Sequence, residues 1–292
     1  MQVIRHRSER GAWEMAFAPP HPRLAALVDT YIGYDERDTA FTRRHELPGL
    51  NAVMIVNLGD PITIVDTAGF VVPVGTGCGF AAGLSDAYAV SETGGCQRGI
   101  QVMFTPQGAR RFFRLPMSQL TNRVFLLPEL LGPAAAMRLI EGLQAANDWH
   151  ACFARLDATI AACIAAHEAV DLAGIRNAGW ALRQIAGCRG DVSIAALAEA
   201  MGCSRKHLAV LFREHVGLTP STVAGLLRFR HALDLIDAAQ IDAAPAKWTD
   251  IALAAGYYDQ AHFNRDFRRL TGRTPGDYLS TRLQGQAGLP VG

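Results

Sequence analysis

Hydrophobic and polar positions follow different patterns in the two halves of the chain. Before about residue 130 the apolar residues come in short, β-branched runs separated by glycine and proline, at 51–59, 61–66, 69–75 and 98–106. Such runs are typical of β-strands. From Gly132 onward the apolar residues recur at steps of three or four, the spacing of one helix face. The pattern predicts an α+β chain, β-rich first and helical afterwards.

Two helices are predicted between about residues 133 and 165. Their apolar stripes consist of Met137, Leu139, Ile140 and Leu143 in the first and Phe153, Leu156, Ile160 and Ile164 in the second. An apolar stripe does not say whose core it enters. The two helices therefore favour equally a cap on the first domain and a dimerisation face.

The segment 171–180 carries two glycines and an asparagine, which predicts a linker. After it, helices are predicted over 178–186, 193–201, 204–215, 220–238, 248–255, 259–271 and 276–282. A chain of 292 residues is long enough for two domains. We predict a β-rich effector-binding or dimerisation domain at 1–132, a helical connector and linker at 133–177, and an all-α domain at 178–282.

One pattern occurs twice in the helical half, first as EAMGCSRKHLAVLFREHVGLTPSTV (199–223) and then as AAGYYDQAHFNRDFRRLTGRTPGDY (254–278). Each copy has a glycine for a sharp turn, an N-cap residue (Ser204 or Asp259), and a closing glycine followed by Thr-Pro. A match at a fixed offset indicates one structural unit used twice. The order helix, tight turn, helix predicts two helix-turn-helix units.

The outward faces of the second helix in each unit distinguish nucleic-acid binding from a purely structural role. With Leu208, Leu211 and Phe212 inward in one copy and Phe263, Phe267 and Leu270 inward in the other, the outward residues are mostly basic or amide-bearing. They are Arg205, Lys206 and Arg213 in the first copy and Gln260, Asn264, Arg265, Arg268 and Arg269 in the second. Such side chains neutralise phosphates and pair with base edges, so the pattern predicts binding to double-stranded DNA.

Residues 178–282 resemble the DNA-binding domain of AraC-type (AraC/XylS) transcription regulators. The motifs that carry the resemblance are IAALAEAMGCSRKHLAVLFREHVGLTP, LLRFRHALDLI and DIALAAGYYDQAHFNRDFRRLTGRTPGDY, about a third of the chain. The resemblance implies two helix-turn-helix units, joined by a long helix, whose recognition helices enter successive major-groove segments. Carried over, the family's base-contact positions are Arg205, Lys206, Ala209 and Val210 in the first unit and Gln260, Ala261, Asn264 and Arg265 in the second.

Ala209 and Val210 depart from the family, in which polar or basic side chains are common at these positions. Neither can hydrogen-bond a base edge, although either can touch a thymine methyl group. We therefore expect the second unit to carry more of the hydrogen-bonded readout than the first.

The N-terminal half resembles the sensor portions of the same family more loosely, through FTPQGARRFFRLPMSQLTNRVFLLPELLG (104–132). The resemblance implies a β-rich, often cupin-like domain that binds a small-molecule effector or forms a homodimer. Aromatic groups that suit a pocket are present, but each favours a place in the core. They are Trp13, Phe17, Tyr31, Tyr34, Phe80, Tyr88 and Phe104.

The alternative is an enzyme whose catalytic N-terminal domain is fused to a DNA-targeting domain. This half carries no GxSxG, P-loop or GxGxxG motif, and its histidines, His6, His21 and His45, are not clustered. We expect His45 and Glu46 to be a strand-edge pair rather than a dyad, and GTGCGFAAG (75–83) to be a loop. No catalytic residue, metal site or cofactor is predicted.

Composition adds little to this picture. The formal net charge of +1 gives no support by itself to a nucleic-acid or membrane partner. The six scattered cysteines are expected to be reduced and mostly buried. No signal peptide or membrane span is recognisable, so a cytoplasmic location is expected. An activator would also need a surface for RNA polymerase, and no residue is assigned to one.

Overall fold

The N-terminal half of the computed structural model is an antiparallel sheet. The structure describes residues 1–8, 11–166, 172–241 and 247–283. Within these ranges nine strands occur: β1 (Gln2–Ser8), β2 (Gly11–Ala18), β3 (Val28–Glu46), β4 (Ala52–Asn57), β5 (Ile62–Val65), β6 (Val71–Val74), β7 (Cys78–Ala82), β8 (Ala89–Phe104) and β9 (Val124–Leu126). The α+β class predicted from the sequence is confirmed.

Two long strands, β3 and β8, organise the sheet. They pair along most of their length, and the order of the main path is β1-β2-β3-β8-β4-β7-β9. The first part of β8 pairs with β5 and the last part with β4, so the sheet divides into two limbs. A small apolar cluster joins residues of both limbs, including Ile62, Ile64 and Phe80.

Helices cover the other face of the sheet. Tyr31, Met54 and Val102 lie in register on neighbouring strands and are almost fully buried. They pack with α1 (Pro106–Phe113), α2 (Leu127–Leu131), α3 (Pro133–Gln144) and α4 (Trp149–Ala165) in one large apolar cluster. Burial and the Asp157 carboxylate, to which the Tyr31 hydroxyl donates a hydrogen bond of 2.8 Å, raise the pKa of Tyr31.

Packing on this face decides between a cap and a dimerisation surface. Leu156 and Ile160 of α4 are fully buried within this single chain, and Leu143 of α3 is 1% exposed. The stripes are thus occupied by the chain's own core. The cap is confirmed, and the dimerisation face proposed for the same stripes is wrong. Met137 was wrongly assigned to the stripe, since its side chain is 56% exposed.

The C-terminal half is helical, and its helices lie close to their predicted positions. They are α5 (Leu172–Gly187), α6 (Ile194–Ala200), α7 (Arg205–His215), α8 (Pro220–Ile241), α9 (Trp248–Ala254), α10 (Gln260–Thr271) and α11 (Pro275–Leu283). The apolar cluster that covers the sheet continues without a break into these helices, as far as Leu270.

The predicted linker at 171–180 is wrong for residues 172–180, which lie inside α5; residue 171 falls outside the described residues. The glycines there serve packing rather than a bend. A Cβ atom on buried Gly179 would lie 2.7 Å from the side-chain nitrogen of Gln107 in α1. Glycine therefore allows α5 to approach the N-terminal domain closely.

The predicted loop at 75–83 is also partly wrong, because residues 78–82 form β7, paired with β4 and β9. A Cβ on Gly79 would lie 2.5 Å from a methyl carbon of Leu127 in α2. Close packing of a helix on the strand, and not a turn, requires this glycine. His45 and Glu46 end β3 with separate partners: His45 stacks on Tyr88, and Glu46 accepts from Ser91.

All six cysteines lie in described ranges and carry free thiols, but Cys78, Cys96 and Cys188 are exposed, so the expectation that most would be buried is wrong. Burial raises the pKa of the Cys152 and Cys163 thiols. Over residues 1–8, 11–166, 172–241 and 247–283, no cluster of three His, Cys, Asp or Glu side chains suited to a metal is found. The described helices are each too short or too polar to span a bilayer.

Candidate nucleic-acid interface

Two helix-turn-helix units flank the long helix α8. Helices α6 and α7 form the first unit, and α9 and α10 form the second. The predicted inward residues are buried: Leu208, Phe212, Phe263, Phe267 and Leu270 are fully buried, and Leu211 packs against the same core. The duplication seen in the sequence is therefore a duplication of structure.

Local sequence explains how each turn forms. Gly202 and Gly256 have φ angles of 64° and 85°, in the left-handed region that glycine tolerates. The side chains of Ser204 and Asp259 then accept hydrogen bonds from the backbone N–H groups three residues on, at 3.1 and 2.6 Å. Each N-cap fixes the start of a recognition helix, α7 or α10.

The outward face of α7 is basic at its edges and apolar in the middle. Arg205, Lys206 and Arg213 are exposed, Ala209 is half-buried, and the Val210 side chain is 55% exposed. Exposure of a valine at the centre of the face leaves a methyl-bearing surface where the family commonly has a polar group.

The outward face of α10 is polar along its length. Ala261, Asn264, Arg265 and Arg268 are exposed, and Gln260 is half-buried. Each of these five positions lies 55 residues after its counterpart in α7, so the two helices present equivalent faces. The structure brings all ten predicted residues onto two matching surfaces.

Acidic residues occupy the opposite flank of each recognition helix. Glu214 of α7 forms an ion pair with Arg110 of α1 at 2.8 Å, and Asp266 of α10 forms one with Arg269 at 3.2 Å. Five of the ten predicted contact residues are cationic and none is acidic. The charge on these outward faces is therefore positive although the chain as a whole is nearly neutral.

The flank that carries the acidic residues docks on the N-terminal domain. Glu214 and Arg269 are equivalent positions, 55 residues apart. Glu214 receives the Arg110 guanidinium, whereas Arg269 donates to the backbone carbonyl of Asp86. Arg269, which the sequence placed on the outward face, thus belongs to the docking flank.

The closing glycines strengthen the same docking contacts. The Thr121 hydroxyl donates to the carbonyl of Gly217 at 2.9 Å, and His45 Nδ1 lies 2.8 Å from the carbonyl of Thr271, next to Gly272. The φ angles of Gly217 and Gly272 are 99° and 73°. Each unit therefore touches the N-terminal domain at the C-terminal end of its recognition helix and leaves the outward face exposed.

One arginine of α8 ties the second unit to the segment before the first. Arg228 donates to the carbonyl of Gly190 at 2.9 Å, and its guanidinium carbon lies 5.9 Å from the centre of the Tyr257 ring. Burial raises the pKa of Tyr257. A Cβ on Gly256 would lie 3.1 Å from the Arg228 side chain, so glycine is needed there for space as well as for its φ angle.

Two residues near the start of α10 were not predicted. The Thr249 hydroxyl of α9 donates to Gln260 Oε1 at 2.7 Å. Tyr258, in the turn before α10, is 89% exposed. The spacing of residues could not reveal the Thr249 contact, because it depends on how α9 crosses α10. An aromatic residue beside the N-cap was the available signal for Tyr258.

Comparison with known proteins gives matches to both halves of the chain. Residues 197–281 match the family model described as a helix-turn-helix domain. The same region is 38% identical over 81 residues to the HTH-type transcriptional regulator GlxA of Rhizobium meliloti (strain 1021), which covers 28% of this chain and 24% of that protein. Residues 197–281 form an AraC-type helix-turn-helix domain. The prediction from the sequence motifs is confirmed for this part of the chain.

The rest of the chain has a match of a different kind. Residues 16–125 match a domain of unknown function (DUF6597). A solved structure of ToxT from Vibrio cholerae covers 93% of this chain and 98% of its own, at 11% identity and a TM-score of 0.47. A probable AraC family transcriptional regulator from Rhodopseudomonas palustris CGA009 aligns with 34% of this chain and 94% of its own, at 28% identity and a TM-score of 0.30. The chain spans about a quarter of the length of GlxA, and it is with the AraC-type domain that this match is made.

Proposed function

We propose that the protein is a sequence-specific, DNA-binding transcription regulator that responds to a small-molecule effector through its N-terminal domain. One observation supports this most strongly. Both recognition helices leave equivalent, acid-free faces exposed, while their acidic flanks are engaged elsewhere. A structural role would not require five cations at matched outward positions.

The two units contribute differently to recognition in this proposal. Arg205, Lys206 and Arg213 of the first unit bind phosphates, and the exposed Val210 contacts a thymine methyl group. Asn264 and Arg265 of the second unit supply most of the hydrogen bonds to base edges. Sequence discrimination therefore comes mainly from α10 and positioning mainly from α7.

The N-terminal domain sets how the two units are held. Both recognition helices dock on it through the same helix position, Glu214 in one unit and Arg269 in the other. An effector that changes the shape of the sheet would move Asp86, which lies before β8, relative to α1, which follows β8. The spacing of the recognition helices would then change and, with it, the fit to DNA.

The effector site in this proposal is the inner face of the sheet, between its two limbs. Polar groups occur there among apolar ones. Glu36 is 5% exposed and accepts a hydrogen bond of 3.1 Å from Arg44, while burial raises the pKa of Tyr34. Buried polar groups beside an apolar cluster are the usual composition of a small-molecule site.

Further elements of the proposal extend the sequence predictions. RNA polymerase is a partner if the regulator is an activator, and a homodimer would have to use a surface other than the buried stripes of α3 and α4. We assign no catalytic activity and keep the cytoplasmic location. The domain boundaries 1–132, 133–177 and 178–282 are retained, with α5 crossing the last one.

Binding to DNA across a range of salt concentrations tests the proposal. The wild-type protein is mixed with a random duplex pool, the bound sequences are recovered, and the affinity for the best duplex and a scrambled one is measured by fluorescence anisotropy. Three to five phosphate contacts predict that log K falls with log[salt] with a slope of about −3 to −4.5. Failure to enrich any sequence, together with equal affinity for both duplexes, would contradict sequence-specific binding.

A further inference from the structure

The hydrogen bond between Thr249 and Gln260 joins the two helices of the second unit at the point where α10 begins. Gln260 is the first residue of α10 and one of the predicted base contacts, and it is half-buried. The Thr249 hydroxyl donates to its Oε1 atom at 2.7 Å. The oxygen end of the amide is thereby held toward α9, and the NH₂ end points away from it.

The orientation of this amide decides which bases it can pair with. A free glutamine can pair with adenine by accepting from N6 and donating to N7 at the same time. With Oε1 occupied by a hydroxyl donor, the side chain presents chiefly its two N–H donors. Donors suit the acceptor-only edge of guanine, which offers N7 and O6, or the O4 atom of thymine.

The first unit lacks this device. The residue equivalent to Thr249 is Ala195, and the residue equivalent to Gln260 is Arg205. Alanine cannot hydrogen-bond, and an arginine carries donors only, so its recognition does not depend on such a tie. The difference between the units is therefore confined to one hydroxyl and the amide that it orients.

We propose that Thr249 is a positioning residue that fixes the Gln260 amide with its donors toward the major groove, so that the second unit prefers an acceptor-only base at that position. This inference rests on the proposed DNA binding. It assigns to α9 a share in sequence discrimination without any contact between Thr249 and a base.

Site selection from a random duplex pool tests the inference, with the full-length protein and four variants: Thr249→Val, Thr249→Ser, Gln260→Ala and Ala195→Val. Wild-type protein should enrich guanine or thymine at one base-pair position, and Gln260→Ala should lose that preference. Thr249→Val should reduce the preference for the selected base over adenine about fivefold, which corresponds to about 1 kcal/mol for one neutral hydrogen bond. Thr249→Ser keeps the hydroxyl and should retain the preference.

Ala195→Val is the matched control, because it places the same β-branched residue at the equivalent position of the first unit, where no hydrogen bond is lost. Its base preferences should equal those of the wild type. The inference is overturned if Thr249→Val weakens binding to all sequences equally or leaves the profile unchanged, or if wild-type protein selects adenine at the position that depends on Gln260. If the wild-type protein selects no sequence at all, DNA binding itself is refuted.

Discussion

Replacing Glu214 with alanine tests how firmly the first unit is docked on the N-terminal domain. The Arg110 side chain is 10% exposed and donates to Glu214 at 2.8 Å. Its Nε atom is buried and has no hydrogen-bond partner among the described residues. Removal of Glu214 therefore leaves a buried guanidinium group without its carboxylate, which is the costly half of breaking an ion pair.

The magnitude follows from the burial of the two partners. Breaking a fully buried ion pair costs about 3–5 kcal/mol, whereas an exposed pair contributes about 0–1 kcal/mol. The Arg110 side chain is buried but that of Glu214 is 39% exposed, so water partly screens the pair. We expect Glu214→Ala to lower the free energy of unfolding by about 1.5–3 kcal/mol, an intermediate cost.

Urea unfolding followed by both tryptophan fluorescence and circular dichroism measures this change. Arg269→Ala is the matched control at the equivalent position of the second unit. Its side chain is 43% exposed, so the expected cost is below about 1 kcal/mol. The double variant Arg110→Met/Glu214→Ala should recover part of the loss, because it removes the unpaired charge. Equal costs for Glu214→Ala and Arg269→Ala, or no recovery in the double variant, would refute this reasoning.

Three further predictions concern readout, pH and packing. Arg265→Ala should relax specificity by about 1–3 kcal/mol at one base pair, whereas Lys206→Ala should weaken selected and scrambled duplexes alike; competition binding decides, and the reverse pattern would contradict the division of roles. The Arg5 guanidinium and the Trp149 indole, which hydrogen-bond Glu14, lower the pKa of that carboxyl. The stability that Glu14 contributes is therefore present above its unfolded pKa, near 4.5, and is lost as pH falls through the lowered value; melting curves of wild type and Glu14→Gln should differ at pH 7 and converge in acid, and a constant difference would contradict this. Leu156→Ala should cost about 2–5 kcal/mol in urea unfolding without changing the mass seen by light scattering, since Leu156 is fully buried within one chain; a fall in oligomer mass would show that α4 also serves an interface.

The helical half could be predicted from the sequence because its signals are local. N-caps, turn glycines and Thr-Pro starts fix helix ends within a few residues, and the structure places the predicted caps Ser204 and Asp259 as expected. The repeat at an offset of 55 residues then identified the contact face of both units. Base contacts themselves remain a prediction.

Long-range packing set the limit of sequence reasoning. The glycines at 174 and 179 suggested a flexible linker, but Gly179 allows α5 to approach α1. Gly79 likewise makes room for Leu127 and lies in a strand. A glycine signals either freedom or close approach, and only the neighbouring element decides which. The docking of Glu214 on Arg110, 104 residues away, left no local signal either.

Footprinting by hydroxyl radicals on a selected duplex tests the central claim most directly. A single chain that reads DNA with α7 and α10 should protect two segments on one face of the duplex, centred about 10 base pairs apart. Arg265→Ala should weaken one segment, and the double variant Arg205→Ala/Lys206→Ala should weaken the other. Protection of one segment only, or loss of both segments together in either variant, would contradict recognition by two separate helices.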